Sequence, residues 1–189
     1  MNSQITNLVV ILGMMQVSKR IPFEDPTWLN GIRGMYILSN VIILGIYFLV
    51  YKNIKSKNDQ TTLKYMEPAP PMSGEEPKLI TTTINEYDQS QLKQAVKGVL
   101  MGVGMMAVMH IYFKYTNPLL IQSIIPVKTA IESKLTQVHL FGKPAIGDLK
   151  RPWKQAGFMQ SMTQGAEAKT DKKSIAEAEK SGRGGVKEE

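Results

Sequence analysis

The sequence predicts an all-α membrane protein with three to four short transmembrane or re-entrant helices, a helix that protrudes into the cytosol, and a disordered basic C-terminal tail. Two observations support this fold class. Of the 189 residues 43% are hydrophobic, but the stretches 2–18, 34–51 and 98–113 contain no charged side chain at all. The net charge of +7 is concentrated after residue 113, where the chain carries thirteen basic and eight acidic residues. Uncharged blocks of this length are typical of a bilayer rather than of a soluble core.

The block 34–51 is the clearest predicted membrane span. As an α-helix its 18 residues would rise about 27 Å, which is close to the hydrocarbon thickness of the ER bilayer. Arg33 and Lys52 bracket the block, and three tyrosines lie toward its ends, where amphipathic rings favour the membrane interface.

The block 98–113 predicts a second span of 16 residues. The apolar residues just before it recur at helical spacing, so the helix should extend backwards into water. Asp88 followed three residues later by Gln91 resembles a capping box. We therefore expect one helix from about Asp88 to Tyr115 whose first turns lie outside the bilayer.

Two further apolar blocks leave alternatives open. Residues 2–18 lack the basic start and the cleavage site of a secretory signal peptide, so we expect an uncleaved anchor that either crosses the bilayer or tilts in its interface. In 117–131, Pro118 suits a helix start, whereas Pro126 should kink the helix. A kinked short span and a re-entrant hairpin both fit that block.

The distribution of Lys and Arg favours a cytosolic position for most of the polar sequence. If 34–51, 98–113 and 117–131 all cross and the tail is cytosolic, eighteen basic residues face the cytosol and four face the lumen. If 117–131 only lies on the surface, 52–97 moves to the lumen and the split is sixteen against seven, so we expect the first arrangement. The chain is then predicted to have five parts. Residues 1–51 contain the N-terminal membrane segments, and 52–87 form a cytosolic proline-containing linker. Residues 88–131 form the protruding helix and membrane hairpin, 132–162 form a cytosolic turn-rich segment, and 163–189 form a disordered tail. Within these parts LITTTI (79–84) is β-prone, and Trp153 and Phe158 are available to rest on a membrane surface or a partner.

Composition argues against an enzyme. The chain has no cysteine, which removes thiolate nucleophiles and cysteine-ligated metals. Its two histidines, His110 and His139, are not spaced as a zinc hydrolase motif, and neither a phosphate loop nor a dinucleotide fingerprint is present. We therefore expect no catalytic residue, no metal site and no cofactor.

Several stretches resemble one known family, in order and with similar spacing over almost the whole chain. They are VSKRIPFEDPTW (17–28), KNDQTTLKYMEP (57–68), KYTNPLLIQSIIPVKTAIESK (114–134), HLFGKPAIGDLKRPWK (139–154) and KTDKKSIAEAEK (169–180). They are similar to the fungal ER membrane family first named for inorganic phosphate transport and later assigned to the SRP-independent (SND) targeting route as its third component. The resemblance implies residence in the ER membrane and contact with the Sec61 translocon, ribosomes, other SND components and client membrane proteins.

An insertion factor needs a polar notch that opens from the cytosol and an adaptable apolar slide beside it. The polar groups at membrane depth that we predict for the notch are Ser39, Asn40, Gln122 and Ser123. The flexible thioethers that we predict for the slide are those of Met101, Met105, Met106 and Met109. Gly98 and Gly102 form a small-xxx-small pair that lets another helix approach closely. Ordinary packing explains each methionine as well, and interhelical hydrogen bonds explain Ser39 and Asn40 equally.

Three functions remain as alternatives at this point. The first is an insertion factor with a cytosol-facing groove. The second is a structural adaptor whose basic tail grips ribosomal RNA or lipid headgroups through Lys169, Lys172 and Lys173. The third, direct phosphate transport, would need intramembrane cations aimed at a midplane site, and Lys128 alone lies deeper than a segment edge.

Overall fold

The computed structural model describes residues 3–67, 77–153 and 184–186. The elements follow in the order α1 (Ser3–Ser18), α2 (Pro26–Lys57), β1 (Thr62–Glu67), β2 (Lys78–Thr83), α3 (Ile84–Ile111), α4 (Asn117–Glu132), α5 (Lys134–His139), a 3₁₀ turn at Gly147–Leu149, and β3 (Gly184–Val186). The chain forms two compact units, each made of two separated segments. We call Met1–Asn53 with Gln91–Phe141 the helical unit, and Ile54–Ser90 with Gly142–Glu189 the sheet unit.

Most of the described chain is helical, in agreement with the predicted fold class. The blocks 34–51 and 98–113 lie within α2 and α3, and both helices are long and apolar enough to cross a membrane. Little of the apolar stretch of either helix is buried inside the protein, with 22% for α2 and 6% for α3. Their apolar surfaces are therefore open to whatever surrounds the protein.

A small sheet is the part of the fold that the all-α prediction missed. Strand β1 pairs antiparallel with β2, from Thr62 opposite Thr83 to Glu67 opposite Lys78. Strand β3 pairs in parallel with β2, with Leu79 opposite Gly184. The β-prone stretch 79–84 agrees with β2, whereas β3 lies within the tail that we expected to be disordered.

Helix α3 begins four residues before the predicted start. The Glu86 N–H donates to the Thr83 hydroxyl at 3.2 Å, and the Thr83 N–H donates to the Glu86 carboxylate at 3.2 Å. This reciprocal pair is a capping box, which satisfies two N–H groups at the helix start. The hydrogen bonds from Thr82 and Thr83 also lower the pKa of the Glu86 carboxyl. The proposed box at Asp88 and Gln91 is therefore wrong, because Asp88 already lies inside the helix.

The helical unit has a core where one end of α3 meets α2 and α4. Ile32, Met106, Leu119 and Leu120 are buried together. The partly buried residues packed against them are Met14, Ile21, Phe23, Met35, Tyr36 and Met109. Further along α2 a buried stripe continues at helical spacing through Ile43, Tyr47 and Val50. Helix α2 therefore buries one side and exposes the other.

Helix α4 runs from Asn117 to Glu132 with Pro118 in its first turn, as predicted, and continues through Pro126. Lys128 on α4 donates to the Asn7 side chain of α1 at 2.7 Å and pairs with Glu132 at 2.7 Å. The single deep lysine of the sequence therefore has an anionic partner and an amide partner inside the helical unit.

The sheet unit is centred on an enclosed ionic and aromatic cluster. The Asp88 carboxylate accepts two hydrogen bonds of 2.6 Å from the Arg151 guanidinium. The backbone N–H of Trp153 donates to the Tyr87 hydroxyl at 2.6 Å, and the rings of these two residues meet edge to face. Burial raises the pKa of Tyr87 to about 12. Trp153 is only 5% exposed, so it packs inside this unit and does not rest on an external surface as we had expected. Phe158 lies outside the described residues.

Candidate functional site

Helix α3 presents a face of small and flexible residues that the rest of the described chain leaves uncovered. Gly98, Met101, Gly102 and Met105 fall within an arc of roughly 100°, since each residue turns the helix by about 100°. The Met101 and Met105 side chains are 72% and 71% exposed. A Cβ added at Gly98 or Gly102 would meet no neighbouring atom within 4 Å. We call these four residues the Gly–Met face.

The four predicted slide methionines divide into two pairs. Met106 is 2% exposed and lies in the core with Leu119 and Leu120, and Met109 packs against the same core. In this conformation those two side chains pack within the protein, which leaves Met101 and Met105 as the accessible pair. The sequence could not separate them, because Met105 and Met106 are neighbours in the chain but point about 100° apart on a helix.

The predicted notch residues bond mainly within their own helices. The Ser39 hydroxyl donates to the Met35 carbonyl at 2.7 Å, and the Asn40 amide donates to the Tyr36 carbonyl at 2.8 Å. On α4 the buried Ser123 hydroxyl donates to the Leu119 carbonyl at 2.7 Å, whereas Gln122 is exposed. The interhelical bonds that we weighed for Ser39 and Asn40 are therefore replaced by bonds one turn back along α2.

A polar contact that the sequence did not predict ties α2 to the end of α3. The Arg33 Nε–H donates to His110 Nε2 at 3.0 Å. His110 Nδ1 lies 3.2 Å from the Tyr115 carbonyl. A carbonyl only accepts, so these partners favour a hydrogen on Nδ1. Its role is structural, because both ring nitrogens are engaged within the helical unit.

The exposed side of α2 adds apolar surface to the helical unit. Ile37, Leu38, Val41 and Phe48 are each about 60% exposed. Large exposed apolar surface of this kind marks contact with another protein or with a membrane. Within the described part of the chain no three His, Asp or Glu side chains gather as metal ligands. What the arrangement offers is an apolar helix face that accepts close helix packing.

The predicted tail contacts Lys169, Lys172 and Lys173 lie outside the described residues.

Comparison with known proteins identifies relatives of this chain. The chain matches, over residues 1–186, a family described as Phosphate transport (Pho88). It is 51% identical over 189 residues to the Saccharomyces cerevisiae SRP-independent targeting protein 3, with 100% of each chain covered. It is 36% identical over 179 residues to the Schizosaccharomyces pombe SRP-independent targeting protein 3 homolog, with 94% of this chain and 91% of the relative covered. The family resemblance is thus confirmed. No solved structure matches the chain significantly.

Proposed function

Because this chain belongs to the Pho88 family, whose relatives include proteins named for SRP-independent targeting, we propose that it targets and inserts membrane proteins at the ER. In this proposal α2, α3 and α4 cross the ER membrane, so that the segment between α2 and α3 and the C-terminus both face the cytosol. The protein acts there with the Sec61 translocon, ribosomes and other SND components. The relatives' names support the targeting role. The two uncovered apolar helices support the membrane location.

The Gly–Met face is the part of the molecule that we propose contacts client transmembrane helices. A client helix can approach closely at Gly98 and Gly102, because no side chain there holds it away. Met101 and Met105 then adapt to client side chains of different shape, since an unbranched thioether has several rotatable bonds. The single observation that carries this proposal is the more than 70% exposure of both methionines beside two uncovered glycines.

The predicted notch residues fit a supporting role in this proposal. Ser39, Asn40 and Ser123 already have a partner for a donor group on their own helices. Ser39 and Ser123 are buried, so in this conformation they stabilise their own helices. Asn40 is half-buried and Gln122 is exposed. We propose that these two amides, which can accept and donate hydrogen bonds, lower the cost of bringing a polar flank of a client helix to membrane depth.

The family description also names phosphate transport, which would require cations aimed at a membrane site. Arg33 donates to His110 and Asn30, and Lys128 is paired with Glu132. Both side chains are engaged in bonds that stabilise the helical unit. These pairings favour the targeting function over a direct transport function.

Site-specific photocrosslinking tests client contact. A photoreactive amino acid at Met105 should crosslink to the transmembrane helix of ribosome-bound nascent membrane proteins in ER microsomes. The same probe at Val41 is the matched control, because Val41 is also exposed but lies opposite the buried stripe of α2. We expect the control to capture lipid. Equal client yields from both positions would contradict a specific face, and capture of Sec61 subunits alone from Met105 would favour the structural adaptor.

Two glycine variants test whether close approach matters. Gly102→Leu should lower client crosslinking and insertion about fivefold, which corresponds to the ~1 kcal/mol typical of one interhelical packing contact in a membrane. Gly104→Leu is the control. Its side chain would also enter open space, but position 104 is rotated by roughly 200° about the helix axis from position 102. Insertion that falls equally in both variants would show a general effect on α3 and would remove the Gly–Met face from the proposal.

A further inference from the structure

A groove between α2 and α3 lies on the side of α3 roughly opposite the Gly–Met face. Its volume is about 500 Å³, and its walls are mainly apolar, with Leu44 and Phe48 from α2 and Val96 and Leu100 from α3. Two lysines, Lys93 and Lys97, line the same groove. A groove of this size is within the ~300–1,000 Å³ range of sites that hold small organic ligands.

The placement of the two lysines points to a ligand with a negative charge and a long apolar part. Lys93 and Lys97 are four residues apart on α3, so their side chains are neighbours on one face of the helix. The apolar residues beside them continue the groove for almost one helical turn beyond Lys97 on α3, as far as Leu100, and along α2 as far as Leu44.

We propose that this groove binds one anionic glycerophospholipid of the surrounding membrane. The headgroup phosphate and carboxylate of a lipid such as phosphatidylserine contact Lys93 and Lys97, and an acyl chain lies along Val96, Leu100 and Phe48. Charge complementarity selects the anionic headgroup, and the apolar walls select a lipid over a soluble anion. Most α3 residues of the groove face away from the Gly–Met face, whereas Lys97 lies about one helical turn before Met101 on a neighbouring face.

Native mass spectrometry of the full chain released from nanodiscs tests the proposal. In nanodiscs of phosphatidylcholine with phosphatidylserine, the protein should retain one phosphatidylserine in preference to phosphatidylcholine. The double variant Lys93→Gln/Lys97→Gln should weaken that retention about 30-fold, from the ~1 kcal/mol that each lysine contributes near an anionic surface. The double variant Lys19→Gln/Lys114→Gln makes the same change of charge away from the groove and should retain the lipid.

Two further measurements distinguish binding of the lipid in the groove from other modes of binding. Val96→Trp fills the apolar wall while both lysines remain, so it should also release the lipid. Inorganic phosphate at millimolar concentration should not displace the lipid, because phosphate lacks the acyl chain. Equal retention of phosphatidylcholine, equal loss in the Lys19/Lys114 control, full retention by Val96→Trp, or displacement by phosphate would each overturn the proposal.

Discussion

Asp88 and Arg151 hold opposite charges away from water in the sheet unit. Their side chains are 1% and 9% exposed, and the guanidinium meets the carboxylate through two parallel hydrogen bonds. Arg151 also lies over the Trp153 ring at 5.0 Å from its centroid. A planar guanidinium satisfies both contacts at once, which an ammonium cannot do. This pair therefore couples the first turns of α3 to a segment more than sixty residues later.

Removal of one partner of this pair should destabilise the sheet unit strongly. Asp88→Ala leaves the Arg151 charge buried without its carboxylate, and we expect a loss of about 3–5 kcal/mol in unfolding free energy. Denaturant unfolding followed by Trp153 fluorescence in a Trp28→Phe background measures it. Asp148→Ala, an exposed position with the same change of charge, should change stability by less than about 0.5 kcal/mol. Equal effects of the two substitutions would show that the buried pair has no special role.

At the scale of single elements, the start of α3 depends on the capping box of Thr83 and Glu86. Thr83→Ala removes the hydroxyl that accepts the Glu86 N–H, so we expect a loss of about 0.5–2 kcal/mol. The measurement is thermal or denaturant unfolding of the full chain in detergent. Thr129→Ala removes an exposed hydroxyl on α4 and should be nearly neutral. A neutral Thr83→Ala would mean that the cap does not stabilise α3.

The capping box of Thr83 and Glu86 also predicts how the stability of the protein depends on pH. The folded-state pKa of Glu86 lies below its ordinary value of 4.5. Its contribution to stability is therefore fully present above pH 4.5 and is lost as pH falls through the folded-state pKa. Glu86→Gln should remove that part of the acid sensitivity, and unchanged acid sensitivity in this variant would contradict the assignment.

The elements differ in how far the sequence could predict them. Uncharged apolar blocks identified α2 and α3, because a long run without charge is a local property of the chain. The cap of α3 was misplaced because Asp88 fits a local capping pattern, while its actual partner Arg151 is remote in sequence. Strand β1 was missed because Thr62–Glu67 has only a weak β pattern and is fixed by pairing with β2. Burial of Trp153 likewise depends on Tyr87, which no local signal could indicate.

The candidate site, too, could be predicted only in part from the sequence. Composition pointed to methionines and glycines on α3, and Met101, Met105, Gly98 and Gly102 do lie on one uncovered face. The packing of α3 on Ile32 and on α4, which places Met106 in the core, is a tertiary property. The groove with Lys93 and Lys97 also depends on which side of α3 approaches α2, and the sequence did not predict that.

At the scale of the whole molecule, α2 and α3 each carry enough apolar length to cross the membrane. If both cross, the segment between them lies on one side of the membrane, while the turn before α2 lies on the other. If α4 also crosses, the connecting segment and the sequence after α4 lie on the same side with eighteen basic residues, and the positive-inside rule predicts that this side is the cytosol. Client access from the ribosome side requires this orientation.

Cysteine labelling in sealed microsomes determines the orientation of the protein in the membrane. No native residue of the protein is labelled, because the chain has no cysteine of its own. Gln60→Cys, in an exposed position between α2 and β1, should react with a membrane-impermeant maleimide added outside. Glu24→Cys, exposed just before α2, should react only after permeabilisation. The reverse pattern would place the segment between the two spans in the ER lumen and would rule out the proposed route for clients.

Three glycines within seven residues, Gly98, Gly102 and Gly104, also set how stiff the middle of α3 is. Each weakens a helix by about 1 kcal/mol relative to alanine, and added side chains there would meet open space. Backbone amides in this stretch should therefore exchange with deuterium sooner than those around Met106, and a docked helix should slow that exchange. Part of the free energy of docking is used to order α3, so the complex with a client helix should be short-lived. A short lifetime suits a surface that must release each client helix into the bilayer.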